Sequence, residues 1–387
     1  MKIWLALAIW CAGLGAAAQF GKMSVLYDQL GDAYPAHRGV EIGILISVIG
    51  TIGLIFGTTS GRIVMRAGPR RVMVGALLLG AIVSLLQSLM PPYPLMLASR
   101  IPEGLSHLAI VVVGPTAMAA TASTPRGQGL VMTLWGSFFG LTFTVLGFFG
   151  PGIAAASGIG RLFQYHAIWL ILCAAALALL MRRDGPSPTP SRQSLWALHL
   201  STYRSPTIAA PALGFVCYTI TYVAILTLLP HAVQTAWATT TAVAMPLVSI
   251  LVSLTLGVFL LRSITAVRLV QWGFAIVILA TIALYLTWGH GPSEAAFACL
   301  IAAAMGIAQG ASFAAIPQLN PAPQDRALAA GAIAQLGNLG TTTGTPMLAL
   351  ILGAAGITGL ALFVIGFSAL GIALHHWQTR RRQGSIG

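Results

Sequence analysis

Twelve long apolar stretches run through this chain, and each is long enough to cross a lipid bilayer as a helix. Such a crossing of about 30 Å of hydrocarbon needs roughly 20 helical residues. Only 7% of the residues are charged, against about a quarter in soluble domains. We therefore predict an all-α integral membrane protein. Spans 1 to 12 are expected at about 4–28, 40–62, 72–91, 94–120, 129–153, 163–181, 207–230, 239–261, 268–288, 295–316, 328–353 and 356–376.

The first stretch has a second interpretation. Lys2, an apolar segment and the three alanines at 16–18 imitate a cleaved signal peptide. The apolar run continues past Ala18, however, and its removal would leave an odd set of eleven spans. A membrane-spanning helix is the favoured interpretation.

The distribution of basic residues indicates how the chain is oriented across the membrane. The segment Gly61–Arg71, between spans 2 and 3, contains four arginines and no acid. With both termini in the cytoplasm, sixteen of the twenty basic residues lie in cytoplasmic segments, only Arg38 and Arg161 lie outside, and Lys22 and Arg100 lie within spans. This split follows the positive-inside rule. It accounts for the net charge of +13 without a nucleic-acid partner; the short loops favour a bacterial inner membrane.

The chain divides into two similar halves. The Gly61 to Arg66 step recurs from Gly257 to Arg262, again between two apolar runs. One long polar, proline-rich interruption separates six spans from six, and it is typical of a loosely ordered connection. The predicted parts are an N-terminal bundle of residues 1–181, a cytoplasmic linker of 182–206 and a C-terminal bundle with a basic tail, 207–387.

Two short motifs carry a resemblance to a known family. Gly61, Arg66, Gly68, Arg70 and Arg71 match the turn Gly-x-x-x-Asp-Arg-x-Gly-Arg-Arg/Lys, although Met65 replaces the acid and Pro69 is inserted. Arg100 to Gly104 is similar to Arg-x-x-Gln-Gly, with Glu103 in place of glutamine. The chain thus resembles the major facilitator superfamily (MFS) of secondary transporters.

The resemblance implies twelve transmembrane helices in two pseudo-symmetric six-helix bundles. It also implies alternating access, with spans 1, 4, 7 and 10 around a central cavity, a monomer, and a cytoplasmic gate at the Gly61–Arg71 motif. The missing acid at Met65 bears on how that gate works. The Gly-Pro signature of drug/proton antiporters is not met, because Leu141 follows Gly140.

Ionisable residues inside spans are the main functional candidates. Each costs roughly 2.5–3.5 kcal/mol on insertion scales and usually faces a cavity or a partner. Arg100, Glu103 and His107 share one helical face of span 4, and Gln19 and Lys22 share one face of span 1. We expect Gln19, Lys22 and Arg100 to bind substrate. Glu103 or His107 is expected to carry a coupled proton.

Three uncharged residues complete the predicted site. Tyr218 and Tyr222 are one turn apart on span 7, and Gln309 lies between two glycines on span 10. They are expected to supply hydrogen bonds and an apolar wall to the substrate. Structural alternatives stand beside these roles: helix packing for all three, a Lys22 that reaches the interface, and an Arg100–Glu103 pair that only stabilises span 4.

The leading functional hypothesis is secondary transport of an organic anion or a carboxylate metabolite, with proton symport. Two cations within the spans favour an anionic substrate. Export of lipophilic or cationic compounds is the alternative, and a non-transporting membrane scaffold or sensor is another. The chain has no phosphate-binding loop and its four cysteines lie singly, so we expect no enzyme activity, cofactor or metal. The expected partners are a small solute, protons and the lipid bilayer.

Overall fold

The computed structural model describes residues 2–37, 40–183 and 194–384, and that part of the chain is helical without a strand. Arg38 and Arg192, which entered the charge count, lie outside the described residues. The twelve-helix fold is confirmed. Within the described residues, ten helices are long and apolar enough to cross a membrane. The last of them contains two crossings, and span 2 adds another in two pieces.

The helices that form the spans agree with the predicted limits to within a few residues at each end. Spans 1, 3, 4 and 6 are Ile3–Ser24, Pro69–Ser88, Tyr93–Ala119 and Ile159–Leu180. Spans 7, 9 and 10 are Ala210–Ala232, Ala266–Leu286 and Gly291–Leu319. A short helix, Tyr27–Ala33, follows span 1.

The remaining spans are interrupted. Span 2 consists of Val40–Ser47 and Ile49–Ala67, and span 5 of Pro125–Gly136 and Phe138–Ser157. Span 8 is Thr235–Val252 followed by a π-helical turn, Ser253–Gly257, and Val258–Leu260. Spans 11 and 12 lie within Pro323–Gly384 and are separated at Gly356, whose φ of 55° is not helical.

The basic turn is much tighter than predicted. Span 2 continues to Ala67 and span 3 begins at Pro69, so Gly68 alone reverses the chain. Gly68 has φ of 88°, a conformation that glycine adopts without steric cost. Pro69 suits the first position of span 3, where its fixed φ is helical and no N–H is needed. Gly61 and Arg66 therefore belong to the end of span 2.

The linker is partly helical, which the sequence analysis did not predict. Residues 195–204 form the helix Leu195–Arg204, here called the linker helix. The Ser194 hydroxyl caps it by accepting a hydrogen bond from the backbone N–H of Ala197, 3.1 Å away. The proline-rich residues 184–193 lie outside the described residues.

The two halves meet along two seams, span 2 against span 11 and span 5 against spans 8 and 10. We call the end of the molecule that carries Arg66, Arg70 and Arg71 the basic face. The two bundles approach each other closely on the side of this face, where Gly57 packs on Gln335 and Gly136 packs on Gly310. The absence of side chains at these glycines permits the backbones to approach closely.

Candidate functional site

A cavity of about 620 Å³ lies between the two halves, a volume typical of a small-molecule site. It opens away from the basic face, because its lining includes Phe148 near the far end of span 5 and Ala242 near the start of span 8. The end of the cavity nearest the basic face is lined by Gln309 and Phe313 of span 10.

Ten of the side chains that line the cavity are aromatic. Phe139 and Phe143 stack with ring centroids 4.9 Å apart, and Tyr218 and Tyr222 stack at 5.0 Å. These rings present a flat, apolar surface from both halves of the molecule. The aromatic lining residues are Phe20, Trp135, Phe138, Phe139, Phe143, Phe148, Phe215, Tyr218, Tyr222 and Phe313.

The lining contains no aspartate, glutamate, lysine or arginine among the described residues. His107 is the lining side chain that becomes a cation when it gains a proton. Its Nδ1 lies 2.9 Å from the carbonyl oxygen of Ala16. Because a carbonyl can only accept, we assign the proton of the neutral ring to Nδ1, which leaves Nε2 as an acceptor.

The structure brings four of the predicted residues together in this wall: His107, Tyr218, Tyr222 and Gln309. Gln309 makes no side-chain hydrogen bond within the described part of the chain, so its amide is available to a ligand. Trp135 was missed by sequence reasoning. It lines the cavity, and its buried Nε1 has no hydrogen-bond partner among the described residues.

The charged candidates form a buried network behind the wall. Lys22 Nζ lies 2.6 Å from Glu103 Oε1, and Arg100 pairs with Glu103 Oε2. All three side chains have 0% exposure. Two cations share one carboxylate, so this set of three carries a net charge of +1. The pairing of Arg100 with Glu103 matches the alternative that treated it as an internal ion pair.

Arg100 also ties span 4 to its neighbours. Its guanidinium donates to the carbonyl oxygens of Leu45, at 2.9 Å, and Gln19, at 3.0 Å. Leu45 lies in the last turn of the first piece of span 2, where carbonyls lack helical partners. Arg100 therefore satisfies backbone groups beside the interruption at Val48.

His166 and Ser84 complete the network, and sequence reasoning missed both. Lys22 Nζ lies 2.9 Å from Ser84 Oγ and 3.2 Å from His166 Nδ1. His166 Nε2 lies 2.9 Å from the carbonyl oxygen of Gly15. An ammonium only donates and a carbonyl only accepts, so we assign His166 as the neutral Nε2–H tautomer. Span 6 carried no predicted site residue; the signal was a histidine inside an apolar span.

The expectation that Lys22, Arg100 and Gln19 face the cavity is corrected. None of them lines it, and all three are fully buried within the N-terminal half. The physical reason is that their donor groups have partners within this half: the two cations bind Glu103, and Gln19 Nε2 donates to Ser106 Oγ at 2.8 Å. Glu103 is likewise enclosed, since Gln87 Nε2 also donates to it at 2.7 Å.

The Gly61–Arg71 motif, predicted to act as a gate, lies at the basic face. Arg70 donates from Nε to the carbonyl oxygen of Ala178, at 3.2 Å, so it contacts span 6 of its own half. A separate contact joins the halves. Gln335 Nε2 donates to the carbonyl oxygen of Leu54, at 2.6 Å, and Tyr203 of the linker helix donates to Gln335 Oε1, at 2.7 Å.

Comparisons with known proteins agree with this architecture. Residues 5–344 match the family model described as Major Facilitator Superfamily. A search of curated proteins found no match. Several solved structures share the fold; because their identities are low, they show the fold alone.

One similar structure is the human organic anion transporter MFSD10 (TETRAN), with a TM-score of 0.78 and 16% identity, covering 97% of this chain and 99% of that one. The MFS transporter FucP in the outward conformation has a TM-score of 0.75 and 13% identity, covering 96% of this chain and 98% of that one. The proton:xylose symporter XylE has a TM-score of 0.77 and 14% identity, covering 98% of this chain and 95% of that one.

Proposed function

The chain belongs to the major facilitator superfamily, and we propose that it transports an amphipathic organic anion through its aromatic central cavity by alternating access. The observation that carries this proposal is the composition of the cavity wall: ten aromatic side chains and no carboxylate among the described residues. An apolar, preferably aromatic, body fits such a wall, because its burial removes apolar surface from water. The anionic group is the part that the polar residues recognise.

The charge behind the wall favours an anion over a cation. Glu103 is one helical turn from His107, about 6 Å along the axis of span 4. A ligand charge about 10 Å from the net positive network interacts with it by about 1.7 kcal/mol at an effective dielectric constant of 20. This attracts an anion and repels a cation. The export of lipophilic cations, the main alternative, also lacks a carboxylate in the cavity to pair with the substrate.

Three groups could hold the anionic end. Gln309 offers amide N–H donors, Trp135 has an unpartnered indole N–H, and a protonated His107 offers Nε2–H. A charged donor forms a stronger hydrogen bond with an anion than a neutral donor does. We therefore assign recognition of the anionic group to His107 and Gln309, with Trp135 beside them.

We assign proton coupling to His107 as well. Of the two candidates, Glu103 is held by Lys22 and Arg100, whereas His107 reaches the cavity. Uptake of a proton at His107 Nε2 adds the positive charge that an anionic substrate needs, and release of the proton weakens its binding. This supports symport of one proton with the anion. With the basic face in the cytoplasm, the cavity opens to the outside.

Binding of three probes tests the proposed substrate class. 1-Naphthylacetate, 1-naphthylacetamide and 1-naphthylmethylamine share one ring system and differ in charge. In calorimetry on the detergent-purified protein, we expect the acid to bind about tenfold or more tightly than the amine, with the amide between them, since about 1.4 kcal/mol is tenfold. A tighter amine would support cation export instead, and no binding of any probe would refute the proposal.

Two variants test whether His107 and Gln309 recognise the anionic group of the substrate. His107→Phe and Gln309→Leu should each reduce the preference for the acid over the amide at least threefold while naphthyl binding persists. His290→Phe is the matched control, because His290 is exposed and does not line the cavity. An unchanged acid preference in both variants would remove these residues from the site.

A further inference from the structure

We propose that the substrate carries a hydrogen-bond donor, a hydroxyl or an N–H, on its aromatic body at the end away from the anionic group. The inference rests on the proposed function and narrows its substrate class to a hydroxy- or amino-aryl acid. Four lining residues, here called the acceptor set, bind this donor: Thr144 of span 5, Thr227 of span 7, and Asn338 and Thr341 of span 11.

The threonine hydroxyls of the acceptor set donate their protons within their own helices. Thr144, Thr227 and Thr341 each donate to a carbonyl oxygen three or four residues earlier, at distances of 2.8 to 3.2 Å. Such bonds to the preceding turn are usual for threonine within a helix. Because a hydroxyl has one proton and two lone pairs, these groups present acceptors to a ligand. They favour a donor on the substrate over an anionic oxygen.

The side-chain amide of Asn338 also presents an acceptor. Its Nδ2 donates to the carbonyl oxygen of Ala334 at 2.7 Å, and it lies so close to Gly53 that a Cβ there would collide with it. The donor side of the amide is therefore enclosed between spans 2 and 11. Its Oδ1 accepts no hydrogen bond from any described residue, so this oxygen is the group left for a ligand.

The acceptor set and the residues assigned to the anionic group lie at different depths. Counted from the basic-face ends of their spans at 1.5 Å per residue, His107 and Gln309 lie about 15–18 Å from that face and the acceptor set about 22–29 Å. Thr219 also lines the cavity but belongs to neither group, because its hydroxyl lies against Gly340. Donors for an anion are thus nearer the basic face, and acceptors are nearer the open end.

This separation sets the orientation of the substrate and the chemistry of its second end. An anionic group beside the acceptor set would face lone pairs, so it is directed to His107 and Gln309. The opposite end of the aromatic body then lies beside the acceptor set. An acceptor that a bound ring shields from water loses free energy unless it gains a donor. A hydroxyl or an N–H on the ring supplies that donor, whereas a bare ring does not.

Calorimetry on the detergent-purified protein with three probes tests the second group. 6-Hydroxy-2-naphthoate, 6-methoxy-2-naphthoate and 2-naphthoate share a carboxylate and a ring system, and only the first has a donor at the opposite end. We expect the hydroxy compound to bind about threefold or more tightly than either of the others, the effect of one net hydrogen bond. Equal or weaker binding of the hydroxy compound, with 2-naphthoate bound, would overturn the inference and leave the proposed function standing. No binding of any probe would refute both.

Two variants test whether the acceptor set binds the donor. Asn338→Leu and Thr341→Val each remove one acceptor of span 11, and each should reduce the preference for the hydroxy over the methoxy compound about twofold or more. Thr343→Val is the matched control, because Thr343 donates to the carbonyl oxygen of Leu339 in the same helix, at 2.8 Å, and does not line the cavity. A preference that survives in both variants, or that falls equally in Thr343→Val, would overturn the assignment.

Discussion

At the residue scale, Glu103 holds two cations inside the N-terminal half. Removal of one partner from a buried ion pair costs about 3–5 kcal/mol, because it leaves an uncompensated charge. Glu103→Gln leaves both Lys22 and Arg100 without a carboxylate. Lys22→Met leaves the balanced pair of Arg100 and Glu103. We therefore predict that Glu103→Gln lowers the thermal midpoint far more than Lys22→Met does.

Thermal unfolding in detergent, monitored by circular dichroism, measures this difference. Arg161→Gln provides the control, since Arg161 lies outside the network and its side chain bonds only Gln164 within the described residues. Equal destabilisation by Glu103→Gln and Lys22→Met would contradict the charge balance that we assign to the network.

The same residues show what the sequence could predict. Spacing placed Arg100, Glu103 and His107 on one face of span 4, and the structure agrees. Spacing did not show which of the three side chains reaches the central cavity. Near Arg100 that face meets spans 1 and 2, whereas at His107 it reaches the space between the halves. Which residue of a face meets a cavity depends on the neighbouring helices, and those come from distant sequence.

At the element scale, the linker helix couples to the contact between spans 2 and 11 through Tyr203 and Gln335. Burial raises the pKa of the Tyr203 hydroxyl well above its ordinary value, so it stays a protonated donor in the physiological range. Tyr203→Phe removes one hydrogen bond, which contributes about 0.5–1.5 kcal/mol. We predict that the variant opens this contact more often.

Hydrogen exchange with mass spectrometry measures that opening. Peptides covering residues 50–60 and 330–340 should exchange about twofold to tenfold faster in Tyr203→Phe. Tyr285→Phe serves as the control, because Tyr285 is exposed on span 9 and its hydroxyl makes no hydrogen bond in the described part of the chain. Unchanged exchange in these peptides would show that the linker helix does not support the contact.

The elements themselves were largely predictable. Twelve spans follow from apolar length, because a bilayer sets the number of residues that a crossing needs. The interruption of span 2 at Val48 was not predictable, since the carbonyl of Leu45 beside it is satisfied by Arg100, 55 residues further along the chain. The linker helix was missed because the prolines at 186, 188 and 190 dominated the composition of its segment.

At the scale of the whole molecule, the proposed function places an aromatic organic anion, which moves with a proton, in the cavity between the two halves. The sequence predicted two halves and a site between them. It did not predict that the wall is aromatic and uncharged, because that depends on how the halves face each other. Of the residues predicted to bind substrate, Tyr218, Tyr222 and Gln309 line this wall, whereas Lys22 and Arg100 do not.

The most direct test is uptake of radiolabelled naphthalene-1-sulfonate into proteoliposomes, with protein-free liposomes as the baseline. A sulfonate stays charged, so it does not leak across the bilayer as a neutral acid. We predict saturable uptake that an inward proton gradient increases, that 1-naphthylacetate inhibits and that 1-naphthylmethylamine does not. His107→Gln should lose the stimulation by the gradient. Uptake of the amine without uptake of the sulfonate, or a proton response that survives in His107→Gln, would contradict this account.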